Sequence, residues 1–235
     1  MNGPGVELSL EQVHAGYGPV EVLHGVDLQV PRGAVTALLG ANGAGKTTTM
    51  AVISGTLPVR AGAVRWAGQV VNRVATYDRA HAGMVLIPEK RGIFPDLTVR
   101  DNLAIFAHGG PHDDDFTPAY DAFPVLRGRL AQGAGSLSGG EQQMLAMSRA
   151  LLRKPRLLLL DEISFGLAPR ITAQLFEVVA ELARQDTTVL LVEQYLGEAL
   201  RMADVVYVLA RGEVAFAGEP AELAHRKALP GYATV

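Results

Sequence analysis

The sequence predicts an α/β fold: a mostly parallel sheet core carrying a second, helical lobe. Three observations predict it. A β-branched and apolar run, 34–39, leads into Gly40-Ala41-Asn42-Gly43-Ala44-Gly45-Lys46-Thr47 and then into a helix-like segment, 46–54. Short apolar strands alternate with amphipathic segments from residue 157 onward. Between these stretches the strand pattern stops at Pro88, and a helical, loop-rich block fills about 91–154. Strand–helix alternation around an inserted block builds a parallel sheet with an attached lobe.

Each element has its own signal. Residues 6–13 alternate in part and read as a strand; His14-Ala15-Gly16-Tyr17-Gly18-Pro19 reads as a turn, and 20–30 as further extended chain. Pro31-Arg32-Gly33 marks a tight turn before the strand that feeds the glycine loop. Leu57-Pro58 closes the helix after it. Residues 62–71 alternate small and apolar around Trp66, as a hairpin does, and 84–87 form a short buried strand. Inside the inserted block, 99–108 reads as a helix and 138–153 as a longer one. Leu157-Leu158-Leu159-Leu160 is a wholly apolar strand ending in Asp161-Glu162. Residues 171–183 form an amphipathic helix with Leu175, Val178, Val179 and Leu182 on one side. A strand at 188–192, a helix at 196–202 and a strand at 205–209 follow. The tail, 213–235, reads as a short strand and a helix.

Composition narrows the function. A chain of 235 residues, 49% of them hydrophobic, suits one large domain or two closely packed lobes. A net charge of -3 and the lack of basic clusters argue against a nucleic-acid surface. Cysteine is absent, which removes disulfides and thiol chemistry. The first five residues lack the basic start and apolar core of a signal peptide. No apolar run reaches the roughly 18–20 residues a membrane span needs, so work at a membrane requires a partner that supplies the span. His108, His112 and Asp113 to Asp115 match no metal-ligand spacing and read as a solvated acidic loop.

The chemistry begins at 40–47, which fits the phosphate-cradle pattern G-x-x-x-x-G-K-[ST] in its strand–loop–helix context. Its glycines turn backbone N–H groups inward, and the helix N-terminus adds partial positive charge. Lys46 reaches the β- and γ-phosphates of a nucleotide, and the Thr47 hydroxyl ligates Mg²⁺. A buried strand ending in Asp161 places that carboxylate beside Thr47 to complete the Mg²⁺ site. Glu162 is then placed to polarise an attacking water; standing alone, the pair would read as solvated strand-end carboxylates. Ser138-x-x-Glu141 is a capping box that starts a helix about 24 Å long at 1.5 Å per residue. That length holds Ser138, Gly139 and Gly140 far from the chain's own Asp161 strand, as an anion site with no anion of its own.

Leu137-Ser138-Gly139-Gly140-Glu141-Gln142-Gln143 is the LSGGEQ signature of ATP-binding cassettes. With the other two motifs in order, nearly the whole chain resembles an ABC ATPase. The resemblance implies a RecA-like phosphate-loop core with an antiparallel β subdomain and an inserted helical lobe, as one domain over 6–235. Within it, 6–88 and 155–235 form the core and β subdomain; 89–154 form the Q-loop and helical lobe. It implies ATP and Mg²⁺ as ligands and a head-to-tail dimer, in which Ser138, Gly139, Gly140 and Glu141 of one subunit close on nucleotide held by the other. Residues 40–48, including Asn42, Gly43, Ala44, Gly45 and Thr48, hold the phosphates, and Tyr17 matches the aromatic that stacks on adenine. Glu89 stands where the family usually has the Q-loop glutamine and is a nucleotide and metal contact. Gln194 stands at the switch-histidine position and shares catalysis with Lys46 and Glu162; glutamine donates but does not titrate. Ala168 replaces the usual aspartate of the following loop, and Ile163 a common proline.

These departures are similar to a subgroup. Pro88-Glu89-x-Arg91-x-Ile93-Phe94-Pro95-x-Leu97-Thr98-Val99, Val192-Glu193-Gln194, Ser164-x-Gly166-Leu167-Ala168-Pro169 and His24-Gly25-Val26 together resemble the smaller (F-type Liv) ATPase of branched-chain amino-acid importers. The resemblance implies a peripheral subunit on the cytoplasmic face of the membrane. Its partners would be a second, non-identical cassette, two permeases and, indirectly, a solute-binding protein, with no nucleic acid. Ile93, Phe94, Leu97 and Val99 are candidate permease contacts or lobe packing. Urea and amide importers share the motifs; export, non-transport and regulatory cassettes are rival readings, and no residue names the solute.

Overall fold

The computed structural model describes residues 5–107, 115–193 and 196–224. In chain order its elements are β1 (Val6–Tyr17), β2 (Val20–Pro31), β3 (Val35–Leu39), α1 (Lys46–Ser54), β4 (Ala61–Trp66), β5 (Gln69–Val70), α2 (Thr76–His81) and β6 (Met84–Ile87). Then come α3 (Val99–Phe106), α4 (Thr117–Ala122), α5 (Gly139–Arg153), β7 (Leu157–Asp161), α6 (Pro169–Arg184), β8 (Thr188–Glu193), α7 (Leu196–Met202), β9 (Val205–Ala210), β10 (Glu213–Gly218) and α8 (Pro220–Ala224). Short 3-10 turns at Pro124–Arg129 and Ala134–Ser136 link α4 to α5.

Two sheets organise these elements. One runs β10-β9-β3-β8-β7-β6, parallel from β9 to β6 with β10 antiparallel at its edge. The other is antiparallel, in the order β2-β1-β4-β5. Every residue of β3, β7 and β8 is buried, as expected of parallel strands covered on both faces. Alternate residues of β3 therefore serve two cores. Val35, Ala37 and Leu39 pack in a cluster with Leu103, Leu145 and Leu175 of the helices. Leu38 faces the other cluster, with Met50 and Ile53 of α1 and Leu8 and Leu28 of the antiparallel sheet. Because β3 is central, the loop at its carboxyl end is held from both sides.

The expected turn at 14–19 is corrected to Gly18-Pro19 alone. β1 runs on to Tyr17, pairing His14 with His24 and Tyr17 with Val20 across a turn at Gly18-Pro19. Register shifts around Val13 and between Ala15 and Gly16, with Gln12 at φ 47, absorb the irregularity. Gly16 marks a close approach: a Cβ there would lie 2.0 Å from the Val20 carbonyl oxygen. The helix at 99–108 is α3, described to Phe106. The residues from His108 to Asp114, Gln194 and 225–235 lie outside the described residues.

α2 was not expected, because its six residues carry no apolar stripe and no side-chain cap. Arg79 supplies the reason it forms. Its side chain is 2% exposed, and its guanidinium donates to the carbonyls of Val52 (3.1 Å), Ile53 (2.6 Å), Val71 and Val74. Val52 and Ile53 are in the last turn of α1, where carbonyls lack helical partners and the dipole favours a cation. Burial pushes Arg79 below its ordinary pKa, yet arginine stays charged. Arg79 thus fastens the far end of the helix that starts at the glycine loop. Replacing it with alanine strands those acceptors and opens a cavity, so Arg79→Ala lowers unfolding free energy by about 3 kcal/mol. Urea titration should show an earlier midpoint at an unchanged slope.

Candidate active site

The phosphate-cradle loop spans 40–45 between β3 and α1, and its glycines have separate reasons to be there. A Cβ on Gly40 would lie 2.6 Å from the Leu209 carbonyl oxygen, and one on Gly45 would lie 2.8 Å from Leu23 Cδ2. Gly43 and Gly45 also adopt φ 79 and 109, where side chains are strained. Gly212 N–H donates to Ala44 O at 2.9 Å, tying the loop to the β9–β10 turn. The N-terminus of α1 has no side-chain cap, so its first N–H groups remain available to an anion. Before it lies a cavity of about 310 Å³, lined by Val22, Asn42, Gly43, Gly45, Lys46, Thr47, Thr48, Glu89, Glu162 and Phe165.

Lys46 is 4% exposed and folds over the loop. Its Nζ donates to Gly40 O at 2.9 Å and Ala41 O at 3.3 Å, and it lies 3.3 Å from Glu162 Oε1. One buried cation thus faces a concentration of carboxylate. Asp161, 3% exposed, is pushed up to about 6, first by burial and then by the charge of Glu162; the Thr47 hydroxyl bond opposes this, Glu89 adds to it and Lys46 opposes it. Asp161 Oδ1 is buried without a hydrogen-bond partner. An orphaned carboxylate oxygen beside a threonine hydroxyl fits a hard divalent cation such as Mg²⁺, which takes few protein ligands and completes its shell with phosphate oxygens and water. Among the described residues no His, Cys, Asp and Glu side chains gather into a larger metal cage.

Glu162 follows β7 in a left-handed conformation, φ 49, which is costly for a side-chain-bearing residue. Its N–H donates to Val192 O at 2.9 Å. The strand-to-loop turn therefore aims its carboxylate, 14% exposed, across the cavity at Lys46.

The structure brings the residues 42–48, Glu89, Asp161 and Glu162 to one place. It does not bring Ser138, Gly139, Gly140 and Glu141 there: they open α5, away from the residues that line the cavity. Their capping box forms. Ser138 N–H and hydroxyl donate to Glu141 Oε2 at 2.9 and 2.8 Å and, with Arg129, hold that carboxyl below the usual range. Tyr17 ends β1, 53% exposed, outside the cavity lining. Val99, a candidate permease contact, is fully buried. It packs at the start of α3 in the core cluster with Leu103 and Phe106, so it serves lobe packing.

Sequence reasoning left three features without a role. Phe165, 55% exposed, forms part of the cavity wall. Glu193, 1% exposed, binds Ser164 through both carboxylate oxygens; its charge at the end of an apolar strand was a signal that could have found it. Arg91 donates to Gln142 at 2.5 Å, and Arg149 to Leu86 O and Gly92 O, bracketing the segment of Glu89 to α5. A second cavity, about 390 Å³, opens between the two lobes and is lined by Met84, Phe94, Ile105, Phe106, Arg149 and Arg153 among others.

Comparison with known proteins places this geometry. Residues 23–164 match the family model described as ABC transporter. The chain is 41% identical over 210 residues to the high-affinity branched-chain amino acid transport ATP-binding protein BraG of Pseudomonas aeruginosa, covering 88% of this chain and 90% of that one. It is 38% identical over 217 residues to the probable branched-chain amino acid transport ATP-binding protein LivF of Archaeoglobus fulgidus, covering 90% and 92%. Among solved structures, an ATP-binding subunit of an ABC transporter superposes with a TM-score of 0.82 at 28% identity, over 92% of this chain and 91% of that one.

The carboxylate cluster carries a measurable cost. The folded pKa of Asp161 lies above its ordinary 3.8, so keeping it ionised destabilises the metal-free fold above pH 6, and the penalty fades as pH falls from 6 towards 4. Asp161→Asn should therefore stabilise the metal-free chain at pH 8 by on the order of 2 kcal/mol. Thermal melts across this range should show the difference shrinking below pH 6.

Proposed function

Because the chain belongs to the ABC transporter family, we propose that it is the ATP-binding, ATP-hydrolysing subunit of a branched-chain amino-acid importer. The observation that carries the hydrolytic reading is the meeting of Lys46, Glu162 and the orphaned Asp161 oxygen over one glycine loop. The solute class is supported by BraG and LivF, which match nearly end to end.

Residues 42–48 bind the phosphates through loop and helix N–H groups, with Lys46 on the β- and γ-phosphates and Tyr17 against the base. Phosphate oxygens take over the Lys46 ammonium from Gly40, Ala41 and Glu162. That exchange frees the Glu162 carboxylate to orient a water and accept its proton. The water oxygen bonds to the γ-phosphorus, the bond to the β–γ bridging oxygen breaks, and ADP and phosphate leave. Thr47, Asp161 and Glu89 would hold Mg²⁺, which neutralises phosphate charge in such transfers. Gln194 donates to the γ-phosphate. Positioning and charge neutralisation supply most of the rate.

The separation of 138–141 from the cavity supports a composite site. Ser138, Gly139 and Gly140 close on the nucleotide of a second cassette, a related but non-identical chain, in a head-to-tail dimer. No helix among the described residues is long and apolar enough to cross a membrane, and the family works with membrane permeases. The groove between the lobes, with Phe94 (44% exposed) and Ile105 (45%) on its wall, suits a permease's cytoplasmic helix. A solute-binding protein would deliver substrate from the opposite side, which sets this subunit on the cytoplasmic face.

Replacing Glu162 with glutamine keeps size and removes the base. In the assembled complex Glu162→Gln should bind ATP as tightly as wild type and turn over at least about a hundredfold more slowly. Phosphate release near the wild-type rate would remove Glu162 from the mechanism.

A further inference from the structure

A buried carboxylate that the mechanism above does not use lies one strand away from Glu162. Glu193 ends β8 and is 1% exposed. Ser164 N–H donates to its Oε1 at 3.2 Å, and the Ser164 hydroxyl to its Oε2 at 2.8 Å. Both oxygens of one side chain thus hold one residue. That residue stands two positions after Glu162, whose own N–H is held by Val192, the residue before Glu193. The end of β8 therefore grips the turn on both sides of Glu162. The turn needs a grip: Glu162 sits at φ 49, a conformation that persists only when its surroundings over-determine it. Within the turn Phe165 N–H donates to Glu162 O and Leu167 N–H to Ser164 O, both at 3.3 Å, so Ser164 ties the bend through Gly166, at φ 70, to the end of β8.

We propose that Glu193 is a positioning residue for hydrolysis: by clamping Ser164 it fixes the turn that aims the Glu162 carboxylate into the phosphate cavity. The inference rests on the hydrolytic reading, and Glu193 itself touches no reacting atom.

The clamp depends on reach more than on charge. Glutamine has the same length; its carbonyl oxygen accepts from the Ser164 N–H while its NH₂ donates to the hydroxyl oxygen, which also accepts. Aspartate keeps the charge and falls one methylene short.

The test is steady-state ATP hydrolysis by the full chain in the complex it forms with co-expressed partner subunits, alongside equilibrium ATP binding. Glu193→Ala and Glu193→Asp should lower kcat about tenfold to a hundredfold, with KM and ATP affinity within about twofold of wild type. Glu193→Gln should recover most of the rate. Ser164→Ala combined with Glu193→Ala should be no slower than Glu193→Ala alone, since both remove one interaction. Undiminished kcat in Glu193→Ala overturns the proposal, as does rescue by aspartate with failure of glutamine. An equal loss of ATP affinity and rate overturns it too, by making Glu193 a general support of the fold. A wild type no faster than Glu162→Gln removes the hydrolytic reading and this inference with it; a fast wild type with an equally fast Glu193→Ala removes the inference alone.

Discussion

The site depends on the contact between the glycine loop and the turn after β9. A Cβ on Gly40 would meet the Leu209 carbonyl, Gly212 N–H holds Ala44 O, and a Cβ on Gly212 would sit 1.9 Å from the Val22 carbonyl. Three stretches far apart in the chain therefore touch backbone to backbone, with no room for a side chain between them. The contact holds the loop rigid from below while its upper surface remains open. The strand that feeds the loop is held by the two cores on either side of β3, each of which buries one set of alternating β3 residues. Arg79 extends the same support to the distal end of α1.

Charge explains why such a rigid site stays poised. Asp161, Glu162 and Glu89 crowd one small region, against the single buried ammonium of Lys46. Lys46 partly neutralises Glu162 and satisfies its remaining donors on loop carbonyls. Asp161 keeps an oxygen with no partner. The cluster is thus short of positive charge, a shortage that a nucleotide arriving with a divalent cation would relieve under the proposed mechanism, giving Lys46 better acceptors. Stability yields to function here, as strained and charged active sites commonly require.

Much of this was legible because it is local. Spacing at 40–47 needs glycine where φ is positive or backbones touch, and the apolar runs of β3, β7 and β8 match burial on both sides. The capping box at Ser138 and Glu141 is written within four residues. The features that escaped are those in which partners lie far apart. Arg79, the buried residue of α2, reaches carbonyls 26 and 27 residues away. Glu7, 1% exposed, accepts from Arg32, Trp66 and Arg156, joining β1 to the parallel core through partners up to 149 residues distant. Glu193 was visible as part of a motif, but its partner Ser164 is 29 residues away. The turn read over 14–19 was too long for another reason: Gly16 serves a close cross-strand approach in a bulged strand, and composition does not separate that from a turn.

The exchange of partners by Lys46 is the central claim, and a structure of the full chain with Mg²⁺ and a non-hydrolysable ATP analogue tests it most directly. The account predicts phosphates over 42–48, Lys46 Nζ moved from the Gly40 and Ala41 carbonyls onto phosphate oxygens, and Glu162 released from Lys46. Phosphates bound elsewhere, or Lys46 still seated on its loop carbonyls and Glu162, would contradict it.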